Sequence, residues 1–267
     1  LPRCDVKALV HTESEGMSSR ERKIEGENRL FAHKKKYWAD MRWGEKRKIC
    51  MRHHMVLGYT YLRNRQYPAF VKEGMQALLS APFACIAMVW KTSYARITTS
   101  EEPNEKKWVF SSVHNRAFNY NSSALFEYVK KYHPEIQAFY VMEDPVERKK
   151  LQECFGKESI IDTSTMEGIR KVLECKVWFT STAPPLYGMG FRKKYCIINL
   201  WHGVPLKKIG MEQENLGWMT KLYYKYLFAD NYEAVVTTSE ELIPVMSRSF
   251  LVEQERVKVW GQPRNDK

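Results

Sequence analysis

The chain has 267 residues and a formal net charge of +12, and its length fits one or two domains. Its 44% apolar content is ordinary for a globular protein. The six cysteines show no Cys-x-x-Cys spacing, which favours reduced, buried thiols over a disulfide framework or a zinc site.

The charge is concentrated at the front of the chain. Residues 1–100 carry a net charge of +10, whereas residues 101–267 carry only +2. The chain begins with Leu1 and stops just after Gly-Gln-Pro-Arg-Asn-Asp, so we expect it to be part of a longer protein.

Residues 1–48 are polar and rich in helix formers. The order of His11-Thr12-Glu13-Ser14, Ser18-Ser19-Arg20 and Lys36-Tyr37-Trp38 resembles the C-terminal edge of a family-2, GT-A type glycosyltransferase. The resemblance implies the tail of an upstream domain. Because the Asp ligands of such a site are absent, His11 is interpreted as an ordinary loop or strand residue, and no metal site is predicted.

Residues 49–105 form a basic, aromatic, mainly helical segment with a linker. The stretch from Ala77 to Trp90 is apolar apart from Ser80, is broken by Pro82, and is too short to span a bilayer, which needs ~20 residues. It fits either a buried helix or a helix in the interface of an anionic membrane, with Tyr and Trp at headgroup level. No nucleic-acid-binding motif accompanies these bases, so no nucleic-acid partner is predicted.

Residues 106–267 alternate between strands and helices after a polar linker at residues 98–107. We predict strands at 108–111, 137–142, 159–162, 177–180, 195–200, 234–237 and 257–260. The intervening helices are predicted at 122–132, 145–154, 165–173, 216–227 and 240–249. This α/β pattern predicts a Rossmann-like parallel sheet with helices on both faces.

The most informative motif follows the predicted strand at 195–200. It reads Trp201-His202-Gly203-Val204-Pro205-Leu206-Lys207-Lys208. Ligands of open α/β sheets bind outside the carboxyl ends of the strands, which is where His202 would lie. A lone histidine there is more often a structural hydrogen-bonder, so its position alone does not select a catalytic role.

This motif resembles the signature of the CDP-glycerol glycerophosphotransferase family, which builds teichoic acids and related poly(polyol phosphate) polymers, although the family usually has Thr at the position of Val204. Other matching pieces are Asn121-Ser122-Ser123, Thr237-Thr238-Ser239-Glu240 and Gly261-Gln262-Pro263-Arg264-Asn265-Asp266. The resemblance implies that residues 106–267 are the N-terminal domain of a GT-B fold. The second domain would follow, so this chain alone is expected to be inactive.

The resemblance also implies transfer of glycerol phosphate or a similar polyol phosphate from a CDP-activated donor, CDP-glycerol or CDP-ribitol. The acceptor would be a hydroxyl of a polyol-phosphate or lipid-linked polymer at the cytoplasmic face of the membrane. His202 would be the general base, and no cofactor is implied. The predicted substrate-binding residues are Trp201, Gly203, Lys207, Lys208, Arg264 and Asn265. Arg264 and Asn265 could instead brace the hinge between the domains. Two alternatives remain open, a GT-B glycosyltransferase that uses a nucleotide sugar and a non-catalytic membrane-surface fragment.

Overall fold

The structure is a computed structural model that describes residues 20–99, 101–213 and 216–266. Residues 1–19 lie outside the described residues, and they include His11 and the start of the predicted glycosyltransferase tail. The side chains of residues 83–89 also lie outside the described part. The chain divides into two compact units, one ending at Ile86 and the other beginning at Ala87. The predicted linker, residues 98–107, therefore lies within the second unit. The assignment of residues 1–48 to the tail of an upstream glycosyltransferase domain stays a prediction, as does that of residues 49–105 to a separate basic segment with a linker.

The described part of the first unit is helical, as predicted. Its helices are α1 (Arg20–Lys35), α2 (Trp43–Arg63), α3 (Tyr67–Ser80) and the start of α4 (Pro82–Thr98). Pro82 separates α3 from α4 because proline is favoured in the first turn of a helix and not in its interior. The guanidinium of Arg47 in α2 donates to the carbonyl oxygens of Leu79, at 2.8 Å, and of Ser80, which satisfies the C-terminal end of α3.

Two adjacent histidines of α2 connect it to different helices. His53 is 6% exposed, lies 3.2 Å from a carboxylate oxygen of Glu27 in α1, and stacks on Phe31 with ring centroids 3.9 Å apart. His54 Nδ1 lies 2.7 Å from a carboxylate oxygen of Glu73 in α3. Burial lowers the pKa of His53, and the hydrogen bond that its ring donates to Glu27 opposes this effect.

We expect the helical unit to lose stability as the pH falls from about 7 to about 5. The pKa of His53 is lower in the folded state than in the unfolded chain, so below its ordinary value of about 6.5 the unfolded chain binds more protons. Urea unfolding followed by circular dichroism between these pH values would measure the effect. The His53→Gln variant lacks the titrating group and should show a weaker pH dependence. An unchanged slope would contradict the assignment to His53.

The second unit is built on a seven-stranded parallel sheet. The strand order is β3-β2-β1-β4-β5-β6-β7, with every pairing parallel. The strands are β1 (Asn104–Ser111), β2 (Gln137–Val141), β3 (Ile160–Ile161), β4 (Cys175–Thr180), β5 (Cys196–Asn199), β6 (Tyr232–Thr237) and β7 (Val257–Val259). The connecting helices are α5 (Tyr120–Tyr132), α6 (Pro145–Phe155), α7 (Met166–Leu173), α8 (Trp218–Leu227) and α9 (Ile243–Phe250).

Each face of the sheet carries its own apolar core. Side chains alternate between the faces along a strand, so Val109 and Trp178 point to one core and Phe110 and Phe179 to the other. The first core is completed by residues of α7 and α9, and the second by residues of α5 and α6. Helices on both faces of a parallel sheet confirm the predicted fold class.

Two further properties bear on the sequence predictions. Cys175 is buried, which raises the pKa of its thiol to about 12, but Cys154 is exposed rather than buried as predicted. Within the described residues, no helix combines the length and the apolar character needed to cross a bilayer.

Candidate active site

A layer of buried polar residues lies at the carboxyl edge of the sheet. Parallel strands all end at the same edge, so the segments after β1, β4, β5 and β7 converge there. Each polar residue of this layer is less than 2% exposed, and the set comprises Ser111, Ser112, Asn121, Ser122, Thr180, Ser181 and Asn199. Polar groups removed from water need internal partners, so their hydrogen bonds define the local geometry.

His202 is half-buried above this layer, three residues after β5 ends. Its Nδ1 lies 2.8 Å from the backbone carbonyl oxygen of Ser181, which follows the adjacent strand β4. A carbonyl oxygen can only accept, so Nδ1 carries the hydrogen and donates. In the neutral imidazole the lone pair is then on Nε2, where it can accept a proton.

The backbone around His202 is held in an unusual conformation. Trp201 has a φ of +52° and Gly203 a φ of +153°, values that side-chain-bearing residues rarely adopt. The Trp201 N–H donates to Asn199 Oδ1 at 2.9 Å, and Asn199 Nδ2 donates to the Thr182 carbonyl at 3.3 Å. The end of β5 is thereby fixed to the end of β4.

Asn121 joins three separate segments of the edge. It is fully buried in the first turn of α5, and its Nδ2 donates to the carbonyl oxygens of Leu200, at 3.2 Å, and Trp201, at 2.9 Å. Its Oδ1 accepts from the backbone N–H of Arg264 at 3.4 Å. A Cβ placed on Gly203 would lie 3.6 Å from Nη2 of Arg264, so that guanidinium lies beside the His202 loop.

Ser181 serves both α5 and His202. Its Oγ accepts from the backbone N–H of Ser122 at 2.9 Å and donates to Ser122 Oγ at 3.0 Å. From its place just after β4 it therefore satisfies an N-terminal amide of α5, while its own carbonyl accepts from His202. Two aromatic rings complete the surroundings of the imidazole, with centroids 3.9 Å away for Trp201 and 5.0 Å away for Tyr120.

Residues 93–267 match the family described as CDP-Glycerol:Poly(glycerophosphate) glycerophosphotransferase. The chain belongs to this family. The match includes the whole sheet, α5 and the His202 loop. The resemblance predicted from the His202 motif is thus confirmed.

Two relatives with similar sequences come from Staphylococcus aureus and Bacillus subtilis. A teichoic acid glycerol-phosphate transferase of Staphylococcus aureus (strain NCTC 8325 / PS 47) is 27% identical over 177 residues, which are 63% of this chain and 43% of the relative. A teichoic acid poly(glycerol phosphate) polymerase of Bacillus subtilis (strain 168) is 23% identical over 175 residues, 62% of this chain and 22% of the relative. The chain thus spans less than half the length of these two relatives.

Solved structures of the wall teichoic acid polymerase TagF share the fold. One matches with a TM-score of 0.55 and 18% identity, and covers 66% of this chain and 43% of the polymerase chain. A variant soaked with CDPG matches with a TM-score of 0.55 and 17% identity. At this identity the likeness concerns the fold alone.

The structure brings some of the predicted site residues together. Asn121 is hydrogen-bonded to the Trp201 carbonyl and the Arg264 N–H, and the Arg264 guanidinium lies beside Gly203, next to His202. Asn265 is exposed in the same turn as Arg264. Lys207 and Lys208 are exposed further along the loop. The substrate contacts of all these residues stay predictions.

Sequence reasoning missed the roles of Tyr120, Asn121 and the Ser181 carbonyl. Asn121 lies in the motif Asn121-Ser122-Ser123 that supports the resemblance. The motif therefore pointed to Asn121, but it did not indicate that its side chain binds the backbone of the His202 loop. Ser181 follows the end of a strand, and its Oγ accepts from an amide of α5.

Proposed function

We propose that the protein containing this chain transfers glycerol phosphate, or a similar polyol phosphate, from a CDP-activated donor to a hydroxyl of a growing cell-wall or capsule polymer. CMP is the second product. The observation that carries the proposal is the 2.8 Å hydrogen bond from His202 Nδ1 to the Ser181 carbonyl, because it leaves Nε2 available as a base at the carboxyl edge of the sheet. Family membership and the names of the relatives support the same reaction.

In the proposed reaction the acceptor hydroxyl attacks the β-phosphorus of the donor. Nε2 of His202 removes the hydroxyl proton while the new P–O bond forms, and the bond between the β-phosphorus and the oxygen that bridges to CMP breaks. CMP leaves with that oxygen. A positioned base of this kind contributes about 10²–10⁴-fold to the rate.

Negative charge spreads over the phosphoryl oxygens during the transfer, and fixed cations stabilise it. The guanidinium of Arg264 lies beside Gly203, one residue from the proposed base, and is suited to this role or to bracing the next domain. Lys207 and Lys208, exposed on the same loop, are proposed to contact the pyrophosphate or an acceptor phosphate.

Release of CMP by the full-length protein tests the reaction. The protein would be assayed with CDP-glycerol and CDP-ribitol, each with polyol-phosphate and lipid-linked acceptors, and with nucleotide sugars in parallel. We expect turnover with a CDP-polyol and none with the sugars. Turnover with nucleotide sugars alone would contradict the proposal and favour a GT-B glycosyltransferase.

Attachment to the cytoplasmic face of an anionic membrane is proposed for the helical unit. Exposed bases and exposed apolar residues recur on its helices at helical spacing. On α2 these are Lys48, Arg52, Val56 and Tyr59, and on α3 they are Val71, Lys72, Met75 and Leu79. Apolar side chains of this kind enter the membrane interface while the bases meet anionic headgroups, at about 1 kcal/mol per base.

We expect the full-length protein to sediment with vesicles that contain anionic lipid and less with neutral ones, and salt should weaken the binding. The substitutions Lys48→Glu, Arg52→Glu and Lys72→Glu together should lower the bound fraction. A matched triple variant in the sheet unit, Lys149→Glu, Lys193→Glu and Lys258→Glu, changes the net charge equally at exposed sites and should bind as the wild type does. Equal losses in both variants would show that net charge alone, and not the helical surface, is responsible.

A further inference from the structure

Tyr120, the first residue of α5, has a backbone conformation that needs an explanation. Its φ is +61°, in the left-handed region where a side chain costs roughly 1–2 kcal/mol relative to glycine. Its ring centroid lies 5.0 Å from that of His202, with the planes tilted by 31°. Because glycine would form this turn at lower cost, the tyrosine side chain has to contribute something that the backbone shape does not require.

The surroundings of His202 suggest what that contribution is. The Cβ–Cγ bond and the hydrogen bond from Nδ1 to Ser181 hold one side of the ring, but a single hydrogen bond still lets the far side of the ring swing. Swinging displaces Nε2, on the far side of the ring. Contacts with the Trp201 ring, itself at a φ of +52°, and with the Tyr120 ring restrict this motion.

The position of Tyr120 is itself fixed, because the two residues that follow it are held by hydrogen bonds. The next residue, Asn121, is fully buried and is hydrogen-bonded to the backbone of the His202 loop. The following amide, of Ser122, is bonded to Ser181, whose carbonyl accepts from His202. The first turn of α5 and the imidazole therefore share the same anchoring residues.

We propose that Tyr120 is a positioning residue whose ring holds the imidazole of His202 so that Nε2 faces the acceptor hydroxyl. The inference rests on the proposed role of His202 as the general base. A displacement of about 1 Å from the productive geometry costs about 10²-fold in rate. Partial loss of orientation after removal of the Tyr120 ring is accordingly expected to lower kcat by about tenfold or more.

Two variants of the full-length protein separate the ring from the backbone. Tyr120→Phe keeps the ring, and we expect its kcat to stay within about twofold of wild type, since the hydroxyl has no part in the proposal. Tyr120→Gly removes the ring and also relieves the strained φ, so it should fold and unfold thermally at or above the wild-type temperature. Its kcat should fall about tenfold or more, with the KM for CDP-glycerol little changed.

Leu251→Gly is the matched control. Leu251 has a φ of +53° at the C-terminal end of α9, and its side chain is 43% exposed. This substitution relieves comparable backbone strain away from the His202 loop and should leave kcat unchanged. If Tyr120→Gly likewise left kcat unchanged, the positioning role would be wrong. A loss in Tyr120→Phe as large as that in Tyr120→Gly would also overturn it, because the hydroxyl would then be responsible.

A double-mutant cycle distinguishes failure of this inference from failure of the proposed function. If Tyr120 acts through His202, adding Tyr120→Gly to His202→Ala causes no further loss. An additive loss would show that Tyr120 acts independently and would overturn the inference while leaving the base assignment intact. Near-normal turnover of His202→Ala alone would instead refute the base. If the His202→Ala background shows no measurable turnover, the Phe and Gly variants decide the question alone.

Discussion

Replacing His202 by asparagine is expected to lower CMP release by the full-length protein about 100-fold or more while leaving it folded. The asparagine amide can still donate to the Ser181 carbonyl, as Nδ1 of His202 does, but it has no counterpart of the basic Nε2. The loss should therefore appear in kcat rather than in folding. Steady-state CMP release with CDP-glycerol, together with circular dichroism, measures both.

His133 offers a matched control for this substitution. It follows α5, pairs with Glu135 at 3.0 Å, and is partly exposed. His133→Asn makes the same chemical change and should retain full activity. If His202→Asn kept more than about a tenth of the wild-type rate, the histidine could not be the general base, which typically contributes at least about 10²-fold.

Gly210→Ala is expected to lower the free energy of unfolding by about 2–4 kcal/mol. Gly210 has a φ of +51°, and a Cβ there would overlap the carbonyl oxygen of Ser249 and lie 3.0 Å from its carbonyl carbon. A backbone carbonyl of α9 cannot move aside as a flexible side chain can. Urea unfolding followed by tryptophan fluorescence, which includes the fully buried Trp178, measures the change.

Gly190→Ala separates the two causes of that loss. Gly190 has a φ of +70°, but a Cβ there would meet no atom within 4 Å. This variant should lose only the conformational part, about 1–2 kcal/mol. Equal losses in the two variants would show that the overlap with Ser249 is relieved at little cost and that the steric argument is wrong.

The strands of the sheet unit could be predicted from sequence because each carries an apolar run, but their boundaries depend on distant residues. β1 begins at Asn104, four residues before the predicted strand. The added residues are polar, but they extend the pairing of β1 at the end of the sheet, where the Asn104 N–H donates to the Glu174 carbonyl. On α5, Tyr128 is 53% exposed although it lies one turn after the buried Ala124, and Phe126 is fully buried.

The candidate site shows the same limit. The motif at residues 201–208 was sufficient to select His202, since the histidine and its turn are adjacent in sequence. The partners of His202 are 21 residues away at Ser181 and still farther at Tyr120, so no local pattern could indicate them. The start of α5, two residues before the predicted one, has a similar cause, because an amide of its first turn is bonded to Ser181 from another strand.

The strand order also governs how the sheet can assemble on the ribosome. β2 pairs with β1 and β3 with β2, and β4 then returns to the other side of β1, after which β5, β6 and β7 are added outward in turn. Each strand that emerges therefore finds its neighbour already synthesised, and no strand has to wait for a later one or insert between two existing strands. The order of synthesis therefore matches the order of pairing, and Ser181, to which His202 is hydrogen-bonded, is synthesised together with β4 and before β5.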